Sequence, residues 1–273
     1  MTSILDILKL IVGRRWRVIA IIFAIELVAI VIVSNSAFFP GESSLYEKQY
    51  NNIKPVLNQS AAGQVVGIFA NNFRVAIAEL IPVIGPILFG LSIYETARIV
   101  EVIGIVNGLG VGAALGTLFF LPSTWLELPA YSIAVAESAY FVYAMRRGLA
   151  GLLKEVRFLI VNVVLIVGVL IVAAVFEVTE IQLETMFGAP APLWEQSLVF
   201  LTWVPFVAVF AGVIRFWRIS RRDAPALEAR YAEEMLQGEE APQVIGGQRQ
   251  PQPQGEKDVA GSPTSRDEGG ATA

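Results

Sequence analysis

Val100–Leu121 reads VEVIGIVNGLGVGAALGTLFFL, and Glu101 is its only charge. Gly104, Gly108, Gly112 and Gly116 recur in it at every fourth residue. In water each glycine would weaken a helix by about 1 kcal/mol relative to alanine. In a bilayer the missing side chains let a neighbouring backbone approach closely, and helix association depends on such packing. The spacing therefore predicts a transmembrane helix with one glycine face against a partner helix.

The surrounding chain has the same character. Of 273 residues, 55% are hydrophobic and 16% charged, with a mean hydropathy of +0.62. Soluble domains carry roughly 25% charged residues. The net charge of -4 is not that of a nucleic-acid binder, which carries a basic stripe. The chain contains no cysteine and no histidine, which excludes disulfides, thiol or histidine catalysis, and the usual zinc, haem and iron–sulfur ligands. No cofactor is expected. A carboxylate-only site for a hard cation stays open.

About 20 apolar residues cross ~30 Å of hydrocarbon. Such runs fall at 17–36, 64–90, 99–121, 126–145, 157–177 and 195–217. The expected fold is an all-α polytopic bundle of about six spans, preceded by a basic N-terminus at 1–16. The first run is read as a retained helix, not a cleaved leader. The second contains Pro82, Gly85 and Pro86 and is expected to kink or break, and the fourth is the candidate for a re-entrant segment. Lys9, Arg14, Arg15 and Arg17 precede span one, Arg98 lies between spans two and three, and Arg146, Arg147, Lys154 and Arg157 lie between spans four and five. Arg215, Arg218, Arg221 and Arg222 end span six. With six spans these basic groups share one side, so the positive-inside rule places both termini in the cytoplasm of a multi-pass cell-membrane protein. Residues 218–273 form a tail, with a short charged helix over 226–237 and then a Gly-, Pro- and Gln-rich disordered stretch.

Ionisable groups at membrane depth are costly and face protein or a water-filled cavity. Glu26, Asn71, Asn72, Arg74, Asn107, Glu127 and Glu137 are the candidate intramembrane polar cluster, with Glu79 and Asn162 in neighbouring positions. Arg74 is expected to pair with Glu26, Glu79, Glu127 or Glu137 from another helix. The glycine face is expected to bring Asn107 close to Asn71, Asn72 or Glu127. No catalysis is expected. Glu127 and Glu137 are ten residues apart, about 15 Å along a helix, too far for two carboxylates to act on one bond. Ser123 and Glu127 lack a histidine or lysine to activate the hydroxyl. No phosphate-binding G-x-x-x-x-G-K-[ST] loop occurs.

The order of motifs carries a resemblance. Phe69–Ala76 (FANNFRVA) is followed by Pro82–Pro86 (PVIGP) and Gly90, then Asn107–Gly110 (NGLG), Pro122–Ala130 (PSTWLELPA) and Ile133-Ala134. Over about residues 15–217 this resembles the stage II sporulation protein M family of integral membrane proteins. That family has a His-Gly pair before the Glu-Leu, where this chain has Ser123-Thr124. The resemblance implies a scaffold or assembly component of a membrane complex, which in spore formers works in engulfment beside cell-wall-degrading partners. The alternative is a transporter or channel-like permease with a polar intramembrane site. Membrane lipid and protein partners are implied, nucleic acid is not, and the sequence sets no oligomeric state.

Overall fold

The computed structural model describes residues 3–57, 59–187 and 201–240. The described residues are helical with no strand. The helices are α1 (Ile4–Ser34), α2 (Glu42–Leu57), α3 (Ala61–Glu79), α4 (Gly85–Val106), α5 (Val111–Phe120), α6 (Thr124–Met145), α7 (Gly148–Phe187) and α8 (Trp203–Glu240). Met1–Glu234 forms one compact unit and Met235–Ala273 a second, in which residues 235–240 are helical. Of the stretch expected to be disordered from Gly238, residues 238–240 continue α8 and the rest lies outside the described residues, as do the first residues of the sixth run. The charged segment 226–237 is part of α8, not a separate helix.

Three helices are long and apolar enough to cross a membrane: Ile4–Ser34, the Gly151–Leu183 part of α7, and the Trp203–Arg230 part of α8. α4 and α5 together would make a fourth, but they are bent by 119° at their junction. α1 begins with a capping box, in which Ser3 Oγ accepts from the Asp6 N–H and the Asp6 carboxylate accepts from the Ser3 N–H. Its exposed Ile21, Ile25, Val28 and Ile32 fall along one side, a stripe suited to lipid. Glu26 and Ile30 fall on the other side and are buried.

The expected glycine helix does not exist as one helix. α4 stops at Val106, Asn107 caps it, and Gly108 follows with φ +66. The Leu109 N–H reaches the Gly104 carbonyl at 2.9 Å and the Gly108 N–H reaches that of Ile105 at 3.1 Å. That pair of bonds is a Schellman stop. Gly110, at φ +72, caps the start of α5. The four glycines are therefore divided between α4, a turn and α5. Only Gly104 is pressed by a neighbour: a Cβ there would stand 2.8 Å from the Gly110 oxygen, while Gly108, Gly112 and Gly116 have open space.

The second run breaks in the Pro82–Pro86 region, where a kink or break is expected. α3 ends at Glu79 and α4 starts at Gly85, joined by a turn whose Val83 has φ 70. A Cβ on Gly85 would clash with the Glu79 carbonyl and stand 2.8 Å from Ser138 Oγ, so the two helices close into a tight hairpin. Leu80–Leu88 (LIPVIGPIL) holds no polar side chain, and Ile81, Val83, Ile84 and Ile87 are 44%, 65%, 50% and 64% exposed.

α6 is the centre of the bundle. It packs on α1, α3, α4, α5 and α7, and Ala130, Ser132, Ala134, Ala136 and Ser138 along it are fully buried. A helix covered on every side needs no apolar stripe, which is why α6 can carry Ser132, Glu137 and Ser138 in its buried faces.

Candidate intramembrane polar site

Polar side chains follow α6 from end to end. At its start the Glu180 carboxylate of α7 accepts from the Ser123 N–H (3.3 Å) and from Ser123 Oγ (2.6 Å), so an acid caps the positive end of the helix. One turn on, Glu127 Oε1 accepts from Asn72 Nδ2 at 2.6 Å, and Asn72 Oδ1 accepts from Asn71 at 3.3 Å. Glu177 of α7 stands beside Glu127. Next, Ser132 Oγ donates to Glu26 of α1 at 2.8 Å. Across the hairpin Ser92 Oγ donates to Glu79 at 2.6 Å. Tyr131 lies within electrostatic reach of Glu26, Glu79, Glu127 and Glu177.

Near the other end of α6 lies a paired cluster. Arg15 Nη1 donates to both oxygens of Glu137, at 2.5 and 2.6 Å, and Arg15 Nη2 meets Glu155 at 2.6 Å. The guanidinium lies over Tyr140 (4.2 Å) and Phe158 (4.5 Å). Buried Asn162 lies against Glu137, yet neither of its amide atoms closes a hydrogen bond of ordinary geometry. A cavity of about 310 Å³ opens beside this cluster, walled by Leu10, Arg14, Arg15, Tyr140, Glu155 and Phe158.

A second arginine clasp closes the other end of α1. Arg98 Nη1 donates to the carbonyls of Val33 (3.2 Å) and Ser36 (2.9 Å) and to Glu101 (2.7 Å), and Nη2 to the Ala37 carbonyl (3.3 Å). Its Nε lies 3.2 Å from Glu42, which also accepts from the Tyr94 hydroxyl. Partial burial raises the Glu42 pKa, but the bonds from Tyr94, the Phe39 N–H and Arg98 outweigh it and hold the carboxyl below the ordinary glutamate range.

Charge is unbalanced between the two clasps. Arg15 and Arg98 are the buried arginines, and each already serves two carboxylates. Glu26, Glu79 and Glu127 join none of the ion pairs among the described residues. Glu79 Oε2 is buried and accepts no hydrogen bond there. No three acidic groups gather as a metal-ligand set among the described residues.

Of the residues expected from sequence, Glu26, Asn72, Glu127 and Glu137 meet on or against α6. Three do not join them. Asn71 is exposed and touches the site only through Asn72. Arg74 is exposed, on the face of α3 away from the carboxylates, and joins none of the described ion pairs. Asn107 is exposed at the C-cap of α4, because the Schellman turn carries it out of the bundle. The buried cation expected in Arg74 is instead Arg15, which the basic N-terminal run concealed. Arg15 and Glu26 are eleven residues apart, three helical turns, and that spacing on one face was the available signal. Glu177 and Glu180, expected at and beyond the end of a span, lie within α7. Arg98, grouped with Arg14–Arg17 by the span count, binds the last turn of α1, some 16 residues or roughly 24 Å along the helix from them.

No protein-family model, curated protein or solved structure matches this chain.

Proposed function

We propose that the chain is a multi-pass cell-membrane protein whose acidic core passes a monovalent cation, a channel-like permease. The observation that carries this is the excess of buried carboxylates over buried cations between the Arg15 and Arg98 clasps. Helix–helix glue alone needs only serines and amides, each worth about 0.6 kcal/mol. Unpaired carboxyls at that depth are costly and answer to a proton or a cation.

The topology we propose has four crossings: α1, α6, α7 and α8. The α3–α4 hairpin then enters and leaves on the side of Ser36 and Arg98. Its tip meets α6 at Ser138, whose hydroxyl donates to the Ile81 carbonyl at 2.9 Å. That is seven residues, about 10 Å, short of the end of α6 at Met145. An all-apolar, exposed turn at that height belongs in hydrocarbon. Both termini remain on one side, the cytoplasm by the arginines of the α1, α6 and α8 ends.

Purified protein in sealed vesicles tests the reading. Native protein is expected to carry sodium or proton flux, and Glu127→Gln to abolish it while retaining its melting midpoint. Absence of flux for both ions in the native protein refutes the permease. A second reading, a scaffold as the resemblance to the stage II sporulation protein M family implies, is favoured by the Arg98 clasp, which ties the polar helix α2 to α4. In that case Arg98→Gln dissociates a membrane complex and no ion flux is found.

A further inference from the structure

We propose that Glu26 and Glu79, with the hydroxyls of Ser92 and Ser132, form a binding site for one monovalent cation, sodium or a proton, at the tip of the α3–α4 hairpin. This names the ion of the permease reading and rests on it only for the purpose of the site. The two carboxyls come from α1 and α3, are 2% and 0% exposed, and lie within electrostatic reach of each other. Each holds one serine hydroxyl, at 2.8 Å for Ser132 and 2.6 Å for Ser92. A hydroxyl that donates to a carboxylate keeps its own lone pairs to offer an ion.

Glu79 Oε2 is fully buried and accepts nothing, so a ligand position stands open. The helix break adds a cation-favouring field, since α3 ends at Glu79 and directs the negative end of its dipole there. Interrupted helices with their C-terminal ends at a coordinating ion are how intramembrane sodium and proton sites are built. One ionised and one protonated carboxyl with neutral hydroxyls match a single positive charge, and no group of three or more acids placed to hold a metal ion occurs among the described residues. Tyr131 and Glu127 of α6 and Glu177 of α7 are the other titratable groups in the surroundings. None of them is a cation.

The full chain in lipid nanodiscs is heated in sodium, potassium or choline chloride, from pH 6 to pH 9. Sodium at ten times its dissociation constant is expected to raise the midpoint by roughly 3–6 °C over choline at pH 9, and Glu79→Gln to remove the rise. If the ion is a proton, acidification alone gives the rise, sodium adds nothing, and Glu79→Gln again removes it. Ser92→Ala, which keeps both carboxyls, is expected to weaken the apparent affinity about tenfold should Glu79→Gln fail to fold. Exposed Glu47→Gln is expected to respond as the native chain does. A midpoint indifferent to both ions, or a rise that survives Glu79→Gln and Ser92→Ala unchanged, overturns the site. Binding without flux refutes the permease and leaves the site standing, whereas flux without ion-dependent stabilisation does the reverse.

Discussion

Adding one methyl group to each glycine of Val100–Leu121 separates a broken helix from a continuous glycine face. In Gly104→Ala the new Cβ stands 2.8 Å from the Gly110 oxygen, 2.9 Å from its carbonyl carbon and 3.1 Å from the Val111 nitrogen, where ordinary contact begins at 3.4 Å. All three are backbone atoms of a turn that Leu109 and Gly110 tie to the Gly104 carbonyl. The turn must yield by about half an ångström, an overpacking cost of about 1–3 kcal/mol. Alanine's better helix propensity returns at most about 1 kcal/mol. Where alanine returns that full 1 kcal/mol the net loss is up to about 2 kcal/mol, or up to roughly 8 °C in the midpoint for a chain of this size. Gly112→Ala and Gly116→Ala meet nothing within 4 Å and are expected to be neutral or to gain up to about 1 kcal/mol. Gly108→Ala meets nothing either, yet its φ of +66 costs about 1–2 kcal/mol. Tryptophan fluorescence melts in nanodiscs measure all four. Equal losses at Gly104, Gly112 and Gly116 would refute the Schellman break and restore a single packed helix.

Two further predictions follow from the clasps. Arg15→Met leaves Glu137 and Glu155 buried without their cation, and a loss of about 3–5 kcal/mol is expected in chemical unfolding, against a smaller one for Glu137→Gln. Glu42 is held below the ordinary glutamate range, so its contribution is present above the unfolded value of about 4.3 and fades as pH falls through the lower folded value. Amide exchange in α2 is expected to accelerate selectively below about pH 4, and Arg98→Gln to move that onset to higher pH. Exchange in α2 that is insensitive to acid contradicts the clasp.

The helices long and apolar enough to cross a membrane, α1, α7 and α8, announce themselves by apolar length alone. The break in the glycine run did not. Asn107-Gly108 is a helix stop, but inside an apolar run with glycines at every fourth position it reads as one more pair on a packed face. At Leu80–Leu88 the interruption by Pro82, Gly85 and Pro86 is legible, but an apolar turn carries none of the polar residues that mark a loop, so α3 and the start of α4 still count as one run. Once that run is counted as a single crossing, Arg98 is assigned to the wrong end of α1, since a span count propagates each error down the chain. The interior acids Glu26, Glu127 and Glu137 stood out because charge in an apolar run is conspicuous. Their companions Ser92 and Ser132 are small, mildly polar and unremarked until a carboxylate is found 2.6–2.8 Å away. Arg74 was misjudged because depth along a segment says nothing of which face a residue takes when α3 is only half covered.

Side-specific labelling of single cysteines bears most directly on the hairpin that carries Glu79 into the bundle, and the native chain has no cysteine to interfere. A membrane-impermeant maleimide is applied from each face to Ser36→Cys, Val83→Cys, Leu109→Cys and Leu149→Cys in sealed vesicles. Ser36→Cys and Leu109→Cys are expected to label from one face, Leu149→Cys from the other, and Val83→Cys from neither until detergent is added. Labelling of Val83→Cys from the same face as Leu149→Cys would mean that α3 and α4 each cross the membrane, and would contradict the re-entrant hairpin.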